Sequence, residues 1–322
     1  MGLIERVAAE AGLTEAKVQT QIRLKAVIQD DAPQLGTKVE INFNRLAEQG
    51  FFNPETASKK HLLELRAVKR NLLKRIGLLH AGKKGRRGAL LSGQRGNVIL
   101  VTSTRPGEGK TFSAINLALS FAFEDRQPVL LIDGDVLRPK VRSYFGLPKA
   151  PGLTDILAGT ERSAQKLAWY SEEAPLQILS EGTRDGGASD LYASESAVSF
   201  FSSLTSDAPD RLVIIDAPPM LATTEAFALA QNADEIAFVV EADATPEPAI
   251  AIALDELLDI NPNVSLILNR CLIPGGGAHY GSYDGYERPA EKQDSGKDDM
   301  VKTEETVKSI VRTSSSEGTD TK

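Results

Sequence analysis

The apolar run Val98-Ile-Leu-Val101 leads through Thr-Ser-Thr-Arg-Pro-Gly-Glu-Gly to Lys110-Thr111 and then into the helical pattern Phe112–Phe123. A strand that turns through glycines into a helix is the geometry a bound phosphate needs. Gly107 and Gly109 let backbone N–H groups curl inward around anionic oxygens, and the helix N-terminus adds partial positive charge. Lys110 can neutralise charge on the terminal phosphates, and the Thr111 hydroxyl can ligate Mg2+. Thr104 stands where the usual pattern has its first glycine, but the Gly-x-Gly-Lys-Thr half makes most of the contacts. The loop therefore predicts a nucleotide site drawing on Arg105, Gly107, Glu108, Gly109, Lys110, Thr111 and Phe112.

That one unit fixes the expected fold class. Further short apolar runs at Val129–Ile132, Leu176–Leu179, Leu212–Ile215, Ile236–Val240 and Val264–Leu268 alternate with helical patterns, as parallel βαβ units do. Their apolarity is continuous rather than alternating, so helices are expected on both faces of the sheet. The chain reads as an α/β P-loop NTPase domain over residues 97–273, preceded by a helical region over 1–80 and a basic Gly-rich linker over 81–96. Residues 274–322 turn to Gly, Tyr, Ser, Thr, Lys and Glu, too poor in apolar groups to offset the entropy of ordering, and are read as a flexible tail. Trp169 with Tyr170 falls in a helix-like stretch and is read as a packing anchor.

Two strand ends deliver carboxylates to the nucleotide side, because ligands of an open parallel sheet sit at the carboxyl ends of its strands. Val129-Leu-Leu-Ile ends in Asp133-Gly-Asp135, and Leu212-Val-Ile-Ile ends in Asp216-Ala-Pro-Pro219. Mg2+ takes hard oxygen ligands and keeps several waters, so one or two carboxylates are sufficient. Thr111, Asp133 and Asp216 are the expected metal set. Lys110, Asp133, Asp135 and Asp216 are the expected catalytic groups, with Asp133 the expected residue either to deprotonate the nucleophile or to hold the metal and Asp135 its partner.

Composition removes other classes. A formal net charge of -7 argues against a nucleic-acid binder, whose surface would be basic. A single cysteine, Cys271, permits no internal disulfide and fits a reducing compartment. No run approaches the roughly 18 apolar residues that span a bilayer, and the first residues lack a signal-peptide core, so the chain reads as cytoplasmic.

Three blocks in order, Thr102–Thr111, Ile132-Asp-Gly-Asp-Val-Leu-Arg-Pro139 and Ile215-Asp-Ala-Pro-Pro219, resemble the Walker A, second aspartate and Walker B motifs of the bacterial tyrosine kinases of polysaccharide export. The resemblance covers roughly residues 41–286, and the soluble autokinases of exosortase and exopolysaccharide systems fit best. It implies an ATP- and Mg2+-dependent protein-tyrosine autokinase on a MinD/ParA-like fold, with Asn269 at the adenine edge and Thr245 as a supporting position. It also implies a membrane-spanning polysaccharide co-polymerase or chain-length regulator as activator, a homo-oligomer, a cognate tyrosine phosphatase and a place at the inner membrane through that partner. Two positions depart from the family pattern: Leu137 replaces an arginine, and Leu63 replaces the glutamate that precedes Arg66 and Lys69 in the oligomerisation motif, with Glu64 next door.

Three of the six tyrosines, Tyr280, Tyr283 and Tyr286, lie among Gly, Ser and Asp, an exposed setting that suits either phosphoacceptors or a binding tail. The resemblance selects the first, since family members carry such clusters at this place. From Pro274 to Tyr286 the chain reaches at most about 40 Å, enough for transfer within a subunit or to a close neighbour. The rival from another class is an ATPase switch of the MinD and partition type, or a degenerate regulatory ATPase. Such switches carry a lysine five residues before Lys110, where this chain has Arg105.

Overall fold

Six of the apolar runs become neighbouring parallel strands, because residues buried on both sides have nowhere else to go. The structure is a computed structural model and describes residues 36–76 and 97–271, except 162, 184–186, 207 and 209. The strands are β1 (Thr37–Lys38), β2 (Val98–Ser103), β3 (Val129–Asp133), β4 (Trp169–Tyr170), β5 (Leu176–Leu179), β6 (Leu212–Asp216), β7 (Glu235–Glu241) and β8 (Val264–Asn269). They form one sheet in the order β1-β4-β5-β3-β6-β2-β7-β8. All pairs are parallel except β4 with β5.

The described helices are α1 (Phe43–Glu48), α2 (Lys59–Arg75), α3 (Lys110–Glu124), α4 (Val141–Tyr144), α5 (Leu153–Leu157), α6 (Ala164–Leu167), α7 (Ala188–Tyr192), α8 (Glu195–Ser206), α9 (Glu225–Ala230) and α10 (Glu247–Ile260). Strand side chains alternate between faces, so each central strand feeds two cores. Val98, Leu100, Leu130, Ile132, Val213 and Ile215 face α5 and α7–α10. Ile99, Val101, Leu131, Ile214 and Val239 face α1, α2 and α3. Coverage fails at the β8 edge, where Leu266 and Leu268 are 59% and 62% exposed. An edge strand has no neighbour beyond it, so a run apolar along its whole length need not be covered on both faces.

Trp169-Tyr170 is a correction. The pair forms a two-residue strand antiparallel to β5, with Trp169 opposite Ile178, rather than a helical stretch. Trp169 still packs against the core. Two residues are too few to show strand periodicity.

The N-terminal segment packs on the face that carries α3. Phe43, Leu46, Phe51, Phe52 and Leu72 share a core with Ile115 and Leu119, and the Phe52 N–H donates to Asn116 Oδ1 at 2.7 Å. Lys69, only 4% exposed, donates to Glu124 Oε2 at 2.7 Å and Asp125 Oδ2 at 2.9 Å. Arg66 donates to Glu124 Oε1 at 2.8 Å. The two basic residues expected to act between subunits are thus paired within their own chain. The basic linker 81–96 and the tail 274–322, with Tyr280, Tyr283 and Tyr286, lie outside the described residues.

Candidate nucleotide and phosphoryl-transfer site

β2 delivers the loop of residues 104–109 to the carboxyl edge of the sheet, and α3 begins at Lys110. Gly107 and Gly109 both have φ of +98°, a left-handed conformation that side chains with Cβ rarely adopt. Gly109 also lies under the Asn269 amide, which leaves no room for a Cβ. The open amides of the first turn of α3, a helix of 15 residues, point out of this loop as an anion site.

The loop is held from three directions. Glu108 Oε2 accepts from the Arg105 N–H at 2.9 Å. Its Oε1 accepts from the Thr245 hydroxyl at 2.7 Å, and the Glu108 carbonyl accepts from Asn269 Nδ2 at 2.8 Å. Glu108 and Asn269 therefore meet the loop itself, whereas the Arg105 side chain is exposed. Phe112 turns its ring onto Phe51, 5.1 Å between centroids, so what it can offer an anion is its backbone N–H. Thr111 follows Lys110 in the first turn and is buried.

The three aspartates and Lys110 do come together. Lys110 Nζ donates to Asp135 Oδ2 at 2.7 Å and lies 3.7 Å from Asp216 Oδ1. Burial lowers the ammonium pKa, but the charges of Asp216 and Asp135 outweigh it and the net shift is upward. Asp133 is fully buried. Its Oδ2 accepts from the Val141 and Lys140 N–H groups at 2.9 and 3.1 Å, and its Oδ1 from the Asp135 N–H at 3.2 Å. Burial and then the Asp216 charge push the Asp133 carboxyl well above its ordinary range.

Asp216 differs from Asp133 in one decisive respect: both its oxygens are buried without a hydrogen-bond partner among the described residues. Burial raises its pKa to about 6 even against the opposing Lys110 charge. A buried, unsatisfied carboxylate is costly. It fits a site that receives a hydrated Mg2+ ion, so the residues present suit a magnesium nucleotide.

Two contributors escape sequence reasoning. The Tyr192 hydroxyl donates to the Gly134 carbonyl at 2.9 Å across 58 residues. Glu181, after β5, accepts from Arg142 Nε at 3.0 Å and keeps Oε2 buried and unpartnered. An acid two residues past the end of β5 is the signal that could have found Glu181, and no pattern in the sequence points to Tyr192.

No protein-family model matches the chain. It is 32% identical over 161 residues to the tyrosine-protein kinase YwqD of Bacillus subtilis, a match covering 49% of this chain and 65% of that one. It is 34% identical over 143 residues to the tyrosine-protein kinase ptk of Acinetobacter johnsonii, covering 44% of this chain and 19% of that one. The crystallised kinase domain of VpsO superposes with a TM-score of 0.51 at 30% identity, covering 64% of this chain and 99% of that domain. The chain thus spans less than two thirds of the length of the curated tyrosine kinases described here, and nearly all of the crystallised domain. Together with the P-loop, the two aspartate motifs and the sheet that aligns them, these matches place the chain in the bacterial tyrosine-protein kinase family.

Proposed function

We propose that this chain is an ATP-dependent protein-tyrosine autokinase that phosphorylates Tyr280, Tyr283 and Tyr286 and thereby regulates exopolysaccharide or capsule synthesis and export. The observation that supports the reading is the buried Asp216 carboxylate at the mouth of the phosphate loop, which lies 3.7 Å from Lys110 Nζ and accepts no hydrogen bond among the described residues.

Bound ATP with Mg2+ supplies the phosphoryl group and part of the charge that screens it. The loop amides and Lys110 would hold the phosphates, while Thr111 and Asp216 would hold the ion, with Asp133 behind them. Lys110 Nζ donates to Asp135 Oδ2. When Lys110 turns toward phosphate, Asp135 Oδ2 is vacated and can orient a tyrosine hydroxyl and accept its proton. The new bond joins phenol oxygen to the terminal phosphorus as the bridging P–O bond breaks and ADP leaves. Aligning these groups in a water-poor site is the whole of the protein's task, since the transition state is loose.

Three phosphates, each adding about -1.5 to -2 charge, would make the tail repel itself and acidic neighbours, which supports a switch between assembled and dispersed subunits. A membrane-spanning co-polymerase as activator, a homo-oligomer and a tyrosine phosphatase complete the scheme, with the chain held at the inner membrane by that partner. No helix among the described residues is long and apolar enough to cross a membrane.

The test is incubation of the full chain with Mg-ATP, alone and with the cytoplasmic part of a co-polymerase, read by phosphotyrosine blotting and ADP release. Wild type should label, whereas Lys110→Met should fall by roughly 100-fold or more. The Tyr280/Tyr283/Tyr286→Phe triple variant should bind nucleotide without labelling. Robust ADP release with no phosphotyrosine under any condition would favour an ATPase switch instead.

A further inference from the structure

We propose that Tyr192 is a positioning residue for the Asp133–Asp135 turn: its hydroxyl fixes the peptide joining Gly134 to Asp135, and through that peptide the carboxylate of Asp133. The inference rests on the kinase reading above and adds a residue to it.

The geometry is specific. The carbonyl of Gly134 and the N–H of Asp135 belong to one peptide unit. The carbonyl accepts from Tyr192 at 2.9 Å, and the N–H donates to Asp133 Oδ1 at 3.2 Å. The preceding peptide is pinned as well, because the Gly134 N–H donates to the Asp216 carbonyl at 2.8 Å. Tyr192 therefore decides which way the 134–135 peptide faces, and with it whether Asp133 keeps its third backbone donor.

Among the described residues, no side chain nearer in sequence is seen to donate to the Gly134 carbonyl. α7 carries Tyr192 in from beyond β5, and its ring is 1% exposed in the core under the carboxyl edge of the sheet. An entirely apolar residue would fill that volume, so the hydroxyl is the part that packing leaves unexplained. Burial, and next the negative charge of Asp133 and Asp135, hold the phenol well above its ordinary pKa. It thus stays a proton donor throughout the working pH range. Rotation of the freed peptide would turn the Asp135 N–H away from Asp133 and leave a buried carbonyl unpaired. Gly134 has no Cβ to restrict its ψ, so among its own contacts only the bond from its N–H to the Asp216 carbonyl opposes such rotation.

The experiment compares Tyr192→Phe, which keeps the ring, with wild type and with Phe201→Leu, a control in the same core whose side chain has no hydrogen-bonding group. Initial rates of tail labelling and ADP release are measured against Mg-ATP concentration on the full chain, beside Mg-ADP affinity and thermal melts. The expectation is that Tyr192→Phe loses about tenfold in kcat with KM and Mg-ADP affinity within about twofold, as removal of one neutral hydrogen bond felt in the transition state would give. Phe201→Leu should keep its kcat at a comparable loss of melting temperature.

An unchanged kcat overturns the proposal. So does a parallel loss in both variants, or a Tyr192→Phe chain that no longer binds Mg-ADP or melts cooperatively, since each assigns Tyr192 a purely structural part. A wild type that releases ADP but never labels tyrosine sinks the kinase reading alone, and the Tyr192 comparison is then read from ADP release. A wild type that does neither overturns both.

Discussion

Asp133 at the end of β3 is the register partner of Asp216 at the end of β6, so two fully buried carboxylates stand side by side on adjacent parallel strands. Their surroundings separate them. Asp133 accepts three backbone N–H groups, whereas neither oxygen of Asp216 accepts a hydrogen bond among the described residues, Lys110 Nζ standing 3.7 Å from Oδ1. One carboxylate is built into the scaffold that shapes the turn, and the other is not. That difference supports the proposal that Asp216 rather than Asp133 is the chief cation ligand.

The Asp216→Asn variant should be more stable than wild type at pH 7.5 in the absence of nucleotide. The folded pKa of about 6 lies above the ordinary value of 3.8. Folded protein therefore holds a proton that the unfolded chain releases, and the associated stability is lost as pH rises from about 4 through 6. The amide mimics the protonated acid, so its advantage should be about 1 to 3 kcal/mol above pH 6.5 and should vanish near pH 4. Denaturant melts at pH 4 and 7.5 measure this. An advantage that persists at pH 4 would mean that something other than ionisation is responsible. Mg-ATP should raise the stability of wild type and do so far less for the variant.

Thr245→Val should weaken nucleotide binding without unfolding the domain. It removes the 2.7 Å bond to Glu108 and leaves a buried carboxylate oxygen short of a donor. A bond to a charged acceptor is worth about 1.5 kcal/mol or more, equivalent to about tenfold in Mg-ADP affinity. Asn269→Ala removes the bond to the Glu108 carbonyl and should cost a similar amount. If Asn269 also reads adenine, its variant alone should lose preference for ATP over GTP. Calorimetric titration with both nucleotides distinguishes the two residues, and equal loss of base preference in both variants would count against an adenine-reading role.

The parts of this site that sequence reasoning reached are those encoded locally. Gly107 and Gly109 announce a backbone that only glycine adopts easily, and an apolar run ending in aspartate announces a strand that delivers a carboxylate to the functional edge. What stayed hidden depends on distant partners. The occupation of Asp133 by the Lys140 and Val141 amides is set by how the chain re-enters after the motif, and Tyr192 reaches Gly134 from 58 residues away. Arg66 and Lys69 read as an interface motif only through the family resemblance, with a helix packing on its own domain as the alternative, since spacing on a helix shows which residues share a face and not what that face meets.

Lys69→Met should destabilise the domain by about 2 to 4 kcal/mol, since it strips a buried partner from Glu124. Burial alone would raise the Glu124 pKa, but hydrogen bonds from Lys69, Ser120 and Arg66 outweigh it and hold the carboxyl below its ordinary 4.5. With the folded pKa below the unfolded one, this stability is complete above about pH 5 and is lost as pH falls through the folded value. The gap between Lys69→Met and wild type should therefore shrink on acidification from pH 7 toward 3.5. Chemical denaturation at two protein concentrations tells whether the pair works inside the subunit. Contacts within the chain predict the same loss at both concentrations, whereas a loss that grows on dilution would place Lys69 between subunits, where the family motif puts its counterpart.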